Sequence, residues 1–211
     1  MVNSSKSLNR TFRTLDYTDR NRVKTNSNIQ YGKHLYHELL VIRARRGDPS
    51  AFEELVHALE TPLFYYVRRL VGNEEDAWDI LQEVWVKAYR NLGSLRETNR
   101  FRVWLYSISH KTAMSHQRVA YRKRSIIEDA PIPDTAEDPN DNPTPEDAER
   151  VHAALDQIEL PFREVLTLHF LEDLSVEETA QIIGVPAGTV KSRLYYARQA
   201  LRKILNRDGN V

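Results

Sequence analysis

Apolar positions recur at three- and four-residue spacing along most of the chain, and strand-like alternation is nowhere sustained, so the sequence predicts an all-α protein. Helical patterning is expected from near Tyr31. Asp48-Pro49 supplies a helix start, the carboxylate as cap and the proline at the first helical position. Phe52, Leu55, Val56 and Leu59 follow. Pro62 is expected to break or kink the helix before Leu63, Val67 and Leu70 resume the pattern and Gly72-Asn73 closes it. A helix over about 74–92 buries Ala77, Ile80, Leu81, Val84 and Ala88, and another runs over about 100–122. Further helices are expected over about 145–158, 161–171, 176–183 and 186–206.

Composition divides this helical series. Residues 1–32 are rich in Asn, Ser, Thr and Arg without an apolar period and read as a disordered tail. Residues 125–146 contain Pro131, Pro133, Pro139, Pro143 and Pro145 among many acids, the composition of a flexible, self-repelling linker. Two small helical domains result, over 33–124 and 147–207. The formal net charge is zero, yet the charges are segregated. Residues 98–127 and 179–207 hold basic side chains and no acid, whereas residues 128–149 hold acids and no base. A phosphate backbone meets each basic block locally, within a Debye length of about 8 Å. There is no cysteine, which excludes disulfides, thiol catalysis and cysteine-rich zinc sites and suits a cytoplasmic protein. No apolar run is long enough to enter a membrane as a span, and no secretory h-region opens the sequence.

The stretch SVEETAQIIGVPAGTVKSRLYYARQALRKI carries the sharpest local signal. Ser175 and Glu178 form a capping box for a short helix whose core face is Val176, Thr179, Ala180 and Ile183. Gly184 provides the turn, since a positive φ is inexpensive only at glycine. Pro186 starts a second helix with an apolar spine of Val190, Leu194, Ala197, Leu201 and Leu205. Its other side presents Lys191, Ser192, Tyr195, Tyr196 and Gln199, flanked by Arg193 and Arg198. This is a helix-turn-helix with a basic, polar recognition helix suited to a major groove. The glycines around Val185-Pro186-Ala187 do not make a Walker A loop: the spacing and the lysine position are wrong and no strand precedes them.

Residues 36–206 resemble the extracytoplasmic-function group of bacterial sigma factors. ARRGDPSAFEELV, DAWDILQEVWVKAYRNL and FRVWLYSISHKTAMSHQR are similar to sigma domain two, and LPFREVLTLHFLEDLSVEETAQIIGVPAGTVKSRLYYARQALRK to sigma domain four. The resemblance implies that the helix bearing DAWDILQEVW binds the clamp of RNA polymerase core. Asp76, Asp79, Gln82 and Glu83, within about 120° of one another on its polar side, take the matching positions. No basic neighbour is expected on that side, as suits a basic partner. It further implies that Arg96, Asn99 and Arg100 lie in the loop that captures an unstacked base of the minus-ten promoter element, with Lys111, Ser115 and Arg118 facing DNA along the next helix. Trp104, beside Leu105 and Ile108, is assigned to the core in preference to base stacking. Thr189, Lys191, Ser192, Arg193, Tyr195 and Arg198 match the surface that meets the minus-thirty-five element.

Partners implied are RNA polymerase core and promoter DNA, with room for an anti-sigma factor. No cofactor, metal or catalytic constellation is expected; His34 and His37 lack further ligands nearby. A stand-alone operator-binding regulator and a helical protein-interaction adaptor accommodate the same residues. They differ in needing, respectively, no polymerase and no DNA.

Overall fold

The computed structural model describes residues 23–124 and 153–208, and every regular element in them is helical. The N-terminal half holds α1 (Val23–Arg45), α2 (Pro49–Val71), α3 (Glu74–Asn91) and α4 (Phe101–Arg124), with short 3-10 turns at Leu92–Ser94 and Thr98–Arg100. The C-terminal half holds a helical turn over 153–156, then α5 (Leu160–Leu166), α6 (Val176–Ile183) and α7 (Ala187–Asp208). The expected linker and the tail over 1–22 lie outside the described residues. Helix α1 starts earlier than the apolar pattern suggests, so residues 23–32 are helical and not part of a tail.

Local chemistry explains the boundaries. Asp48 caps α2 by accepting from the backbone N–H of Ser50 at 3.1 Å and of Ala51 at 3.4 Å. Arg43 holds the other carboxylate oxygen at 2.7 Å, which fixes the α1–α2 corner. Pro62 does not break the helix: α2 runs through it from Pro49 to Val71. A mid-helix proline costs about 3 kcal/mol, and burial of Leu59, Leu63, Tyr66 and Val67 around it offsets that loss. Gly72, at φ 85°, ends α2, and Asn73 then caps α3 through a bond from the Asp76 N–H at 2.8 Å.

In the C-terminal half the Ser175 side chain accepts from the Glu178 N–H at 3.1 Å and the Glu178 carboxylate accepts from the Ser175 N–H at 2.8 Å, the expected reciprocal cap. Gly184, at φ 78°, makes the turn into α7. Helix α5 does not end as an α-helix. It widens into a π turn over Thr167–Leu171, closed by Glu172 N–H donating to Thr167 O at 3.0 Å.

Two apolar clusters form. One, around Ala154, Leu155, Val165, Leu166, Val190, Leu194, Ala197 and Leu201, belongs to the C-terminal half alone. The other fills the four-helix N-terminal half and also takes in Leu168, Leu174 and Ile182 from the C-terminal half. The two halves are therefore packed together, α5 against α2 and α6 against α4.

Candidate nucleic-acid interface

On α3, Asp76, Asp79 and Gln82 are exposed along one face, as the sequence predicts. Glu83 is half-buried and differs from expectation, because basic neighbours surround it. Lys87 Nζ lies 2.7 Å from one carboxylate oxygen and His116 Nε2, from α4, donates to the other at 2.7 Å. Hydrogen bonds from Lys87 and then His116 hold the Glu83 carboxyl below its ordinary value. Lys87 also donates to Thr112 Oγ1 at 3.1 Å, a second tie from α3 to α4. Sequence spacing places Glu83 and Lys87 one turn apart, which is a local signal for this pair, whereas His116 is distant in sequence and gives none. The same helix exposes Trp78, Val86 and Tyr89. Trp78 stacks on Phe64 of α2 with centroids 4.4 Å apart, giving the acidic face an apolar centre.

Lys111, Ser115 and Arg118 stand exposed along one face of α4, at spacings of one helical turn. Arg96, Asn99 and Arg100 are exposed in the turns that lead into that helix, with Arg100 Nε 3.4 Å from Glu97. The 3-10 turn holding Asn99 is anchored by Thr98 Oγ1, which donates to Glu38 Oε1 of α1 at 2.8 Å. Trp104 is partly buried against the N-terminal core and lies tilted to Phe101 at 5.8 Å. His34 accepts from Arg102 Nη1 at 2.9 Å, and burial, then the Arg102 charge, lowers its pKa.

On α7 the spine Val190, Leu194, Ala197, Leu201 and Leu205 is buried, which turns Lys191, Ser192, Tyr195 and Tyr196 outward. Thr189 and Arg193 are half-buried beside them. Ser192 Oγ donates to Thr189 O at 2.9 Å and so meets any ligand as an acceptor. Arg198 leaves this surface: its guanidinium lies over the Phe170 ring, 5.1 Å from the centroid, an intradomain contact absent from the sequence reading. Basic and polar side chains thus line one helix in each half, while carboxylates line a third helix. The charge of these faces is complementary to polyanions at two places and to a basic protein at one.

Comparison with known proteins agrees. The model of Sigma-70 region 2 matches residues 55–123, and that of Sigma-70 region 4 matches residues 148–201. The RNA polymerase sigma-H factor of Pseudomonas aeruginosa is 36% identical over 182 residues, covering 79% of this chain and 92% of that protein. The ECF RNA polymerase sigma-E factor of Haemophilus influenzae is 33% identical, covering 80% of this chain and 95% of its own length. The chain belongs to the extracytoplasmic-function sigma factors. As a sigma factor it directs promoter-specific transcription initiation by RNA polymerase.

Among solved structures, the sigma factor RpoE bound to the anti-sigma factor NepR of Bartonella quintana superposes with a TM-score of 0.67 at 24% identity, covering 74% of this chain and 96% of that one. CnrH in complex with the cytosolic domain of CnrY gives 0.59 at 24% identity, covering 82% and 99%. Both share the sigma fold. Among the described residues no helix is long and apolar enough to cross a membrane.

Proposed function

We propose a division of labour in this sigma factor. Asp76, Asp79, Gln82 and Glu83 on α3 dock on the polymerase clamp. Arg96, Asn99 and Arg100 with Lys111, Ser115 and Arg118 hold the opened minus-ten strand. Thr189, Lys191, Ser192, Arg193 and Tyr195 on α7 read the minus-thirty-five duplex, with Arg198 bracing that helix from within its domain. The protein works by binding in the cytoplasm and is not an enzyme. Two modest contacts joined by a linker act as one useful affinity, because tethering makes the second contact intramolecular. An anti-sigma factor is a fitting regulator, since RpoE and CnrH, which share the fold, were captured with such partners or a partner's cytosolic domain.

The observation that carries this reading is the exposure of two basic, polar helical faces on separate halves, each backed by its own apolar spine. The test is to add the purified protein to sigma-free polymerase core on fragmented host DNA and sequence the transcripts. Discrete starts sharing two upstream elements support the assignment. No specific starts from a folded protein would point to an operator-binding regulator that needs no polymerase.

A further inference from the structure

The basic row of α7 is free at one end and seated at the other. Lys191 and Arg198, at about 100° per residue, point within about 20° of one another on the helix. Lys191 is exposed, whereas Arg198 is half-buried. The difference comes from the π turn over Thr167–Leu171, which sets Phe170 against the second half of α7. The Arg198 guanidinium lies 5.1 Å from the centroid of that ring. Its Nε is buried and makes no hydrogen bond among the described residues. A buried N–H on a cation is tolerated there because the electron-rich ring face stands in for an acceptor.

Phe170 is itself held in place. It packs on the apolar cluster of the C-terminal half. The His169 ring meets it edge to face with centroids 4.7 Å apart, and His169 Nδ1 donates to the Leu174 carbonyl at 2.7 Å. Leu174 N–H donates in turn to Leu168 O at 3.0 Å. Asp173, inside this loop, takes a φ of 50°, a left-handed backbone uncommon outside glycine.

The position of the seat gives it leverage. Val190, Leu194, Ala197, Leu201 and Leu205 fix the axis of α7, but apolar contact is non-directional and resists rolling weakly. Arg198 stands about 60° from the middle of that spine, on the flank that bears Lys191. A roll of about 10° moves a side-chain end by about 1 Å at a radius of about 6 Å. Hydrogen bonds to base edges hold over about 2.7–3.2 Å, so a shift of that size loses one.

We propose that Phe170 and Arg198 are positioning residues for promoter discrimination: the ring of the π turn seats the guanidinium, and that seat sets the roll of α7. Neither residue touches DNA. This role rests on the assignment of α7 to the minus-thirty-five duplex. Its loss blurs the choice between promoters, whereas loss of a phosphate contact weakens all of them alike.

The full-length protein on sigma-free polymerase core is assayed on two promoters that differ only in the minus-thirty-five element, one intact and one scrambled. Phe170→Leu is expected to lower the ratio of transcripts about fivefold, and Arg198→Gln to lower it equally. Phe170→Tyr keeps the ring and stays within about twofold of the parent. The double variant Phe170→Leu with Arg198→Gln falls no further than either change alone, because each removes the same seat. Core binding is unchanged, and the salt dependence of promoter binding keeps the parent's slope throughout. Additive losses in the double variant overturn the proposal. So does a slope lower by about one unit in Arg198→Gln, which would put the guanidinium on a phosphate. If Phe170→Leu does not fold, Arg198→Gln leaves the apolar cluster intact and decides alone, an unchanged ratio overturning the seat. A parent that transcribes both promoters equally removes the minus-thirty-five reading and this role together. A discriminating parent with unaltered variants removes this role only.

Discussion

His116 on α4 donates to Glu83 on α3 at 2.7 Å, so the helix assigned to polymerase docking is tied directly to the helix assigned to minus-ten DNA. Both side chains keep more than a third of their surface in water, and such pairs contribute little to stability. The tie therefore bears on the availability of Glu83 and not on folding. His116→Ala is expected to change thermal stability by no more than about 0.5 kcal/mol and to leave affinity for polymerase core within about threefold. Glu83→Ala removes the docking carboxylate and is expected to weaken core binding by about tenfold. Titration of labelled protein with core, in parallel with thermal unfolding, checks both. Equal loss in the two variants would mean that the ion pair, and not Glu83 alone, meets the polymerase.

Lys191 stands exposed on α7, in the other half of the chain from the acidic face of α3. Lys191→Ala is expected to lower transcription from promoters that depend on the minus-thirty-five element by about tenfold, the value of a base or phosphate contact. Core binding should stay unchanged. If the contact is to phosphate, the salt dependence of promoter binding also falls by about one unit of slope. A pull-down on core and a multi-round transcription assay on promoters with and without the upstream element distinguish these effects.

The packing of the two halves against each other carries a pH signature. Burial raises the Glu172 carboxyl above its ordinary value of 4.5, against the hydrogen bond from Tyr106 and the charges of Arg102 and Arg69, which act in the opposite direction. These groups face it from α4 and α2, and Arg102 is in turn bonded to His34 of α1. A group whose pKa rises on closure favours closure fully below its free value, and that contribution is lost as pH rises through the closed-state value. Through Glu172 the packed population is therefore expected to gain near pH 5 relative to pH 8, while the lowered His34 acts in the opposite direction. Glu172→Gln still accepts from Tyr106 and carries no charge. It should flatten most of that slope and be at least as closed as the parent near pH 8. Energy transfer between labels on cysteines replacing exposed Glu53 of α2 and Lys203 of α7 measures this directly in a chain with no other cysteine, and an unchanged slope in Glu172→Gln would move the titration to another group.

Much of the fold was legible because it is local. Period and caps predict the buried spine of α7, the reciprocal cap of Ser175 and Glu178, and the Gly184 turn, and all three are present. What failed depended on partners far along the chain. Ile182 lies off the expected core face of α6 because its neighbours belong to the other half. Pro62 fails to break α2 because tertiary burial on both sides outweighs a missing backbone bond. Arg198 turns from the DNA side because Phe170 offers a ring. Glu164 and Glu172 read in sequence as ordinary surface acids, since nothing local announces that tyrosines, an imidazole and an arginine from more than fifty positions away will enclose them.

The π turn at Thr167–Leu171 sets the phase of these two acids. In an uninterrupted α-helix, positions eight apart point about 80° away from each other. A π turn absorbs one residue without advancing the spiral, and brings the same two positions to within about 20°. Glu164 and Glu172 face one neighbouring surface because the chain carries one residue more than a regular helix would use. Removing a single residue from Thr167–Leu171 would restore the regular spiral and turn one carboxylate aside. Length in this short stretch, more than the identity of any one side chain in it, decides whether a sequence of this kind can fasten its two halves at both points.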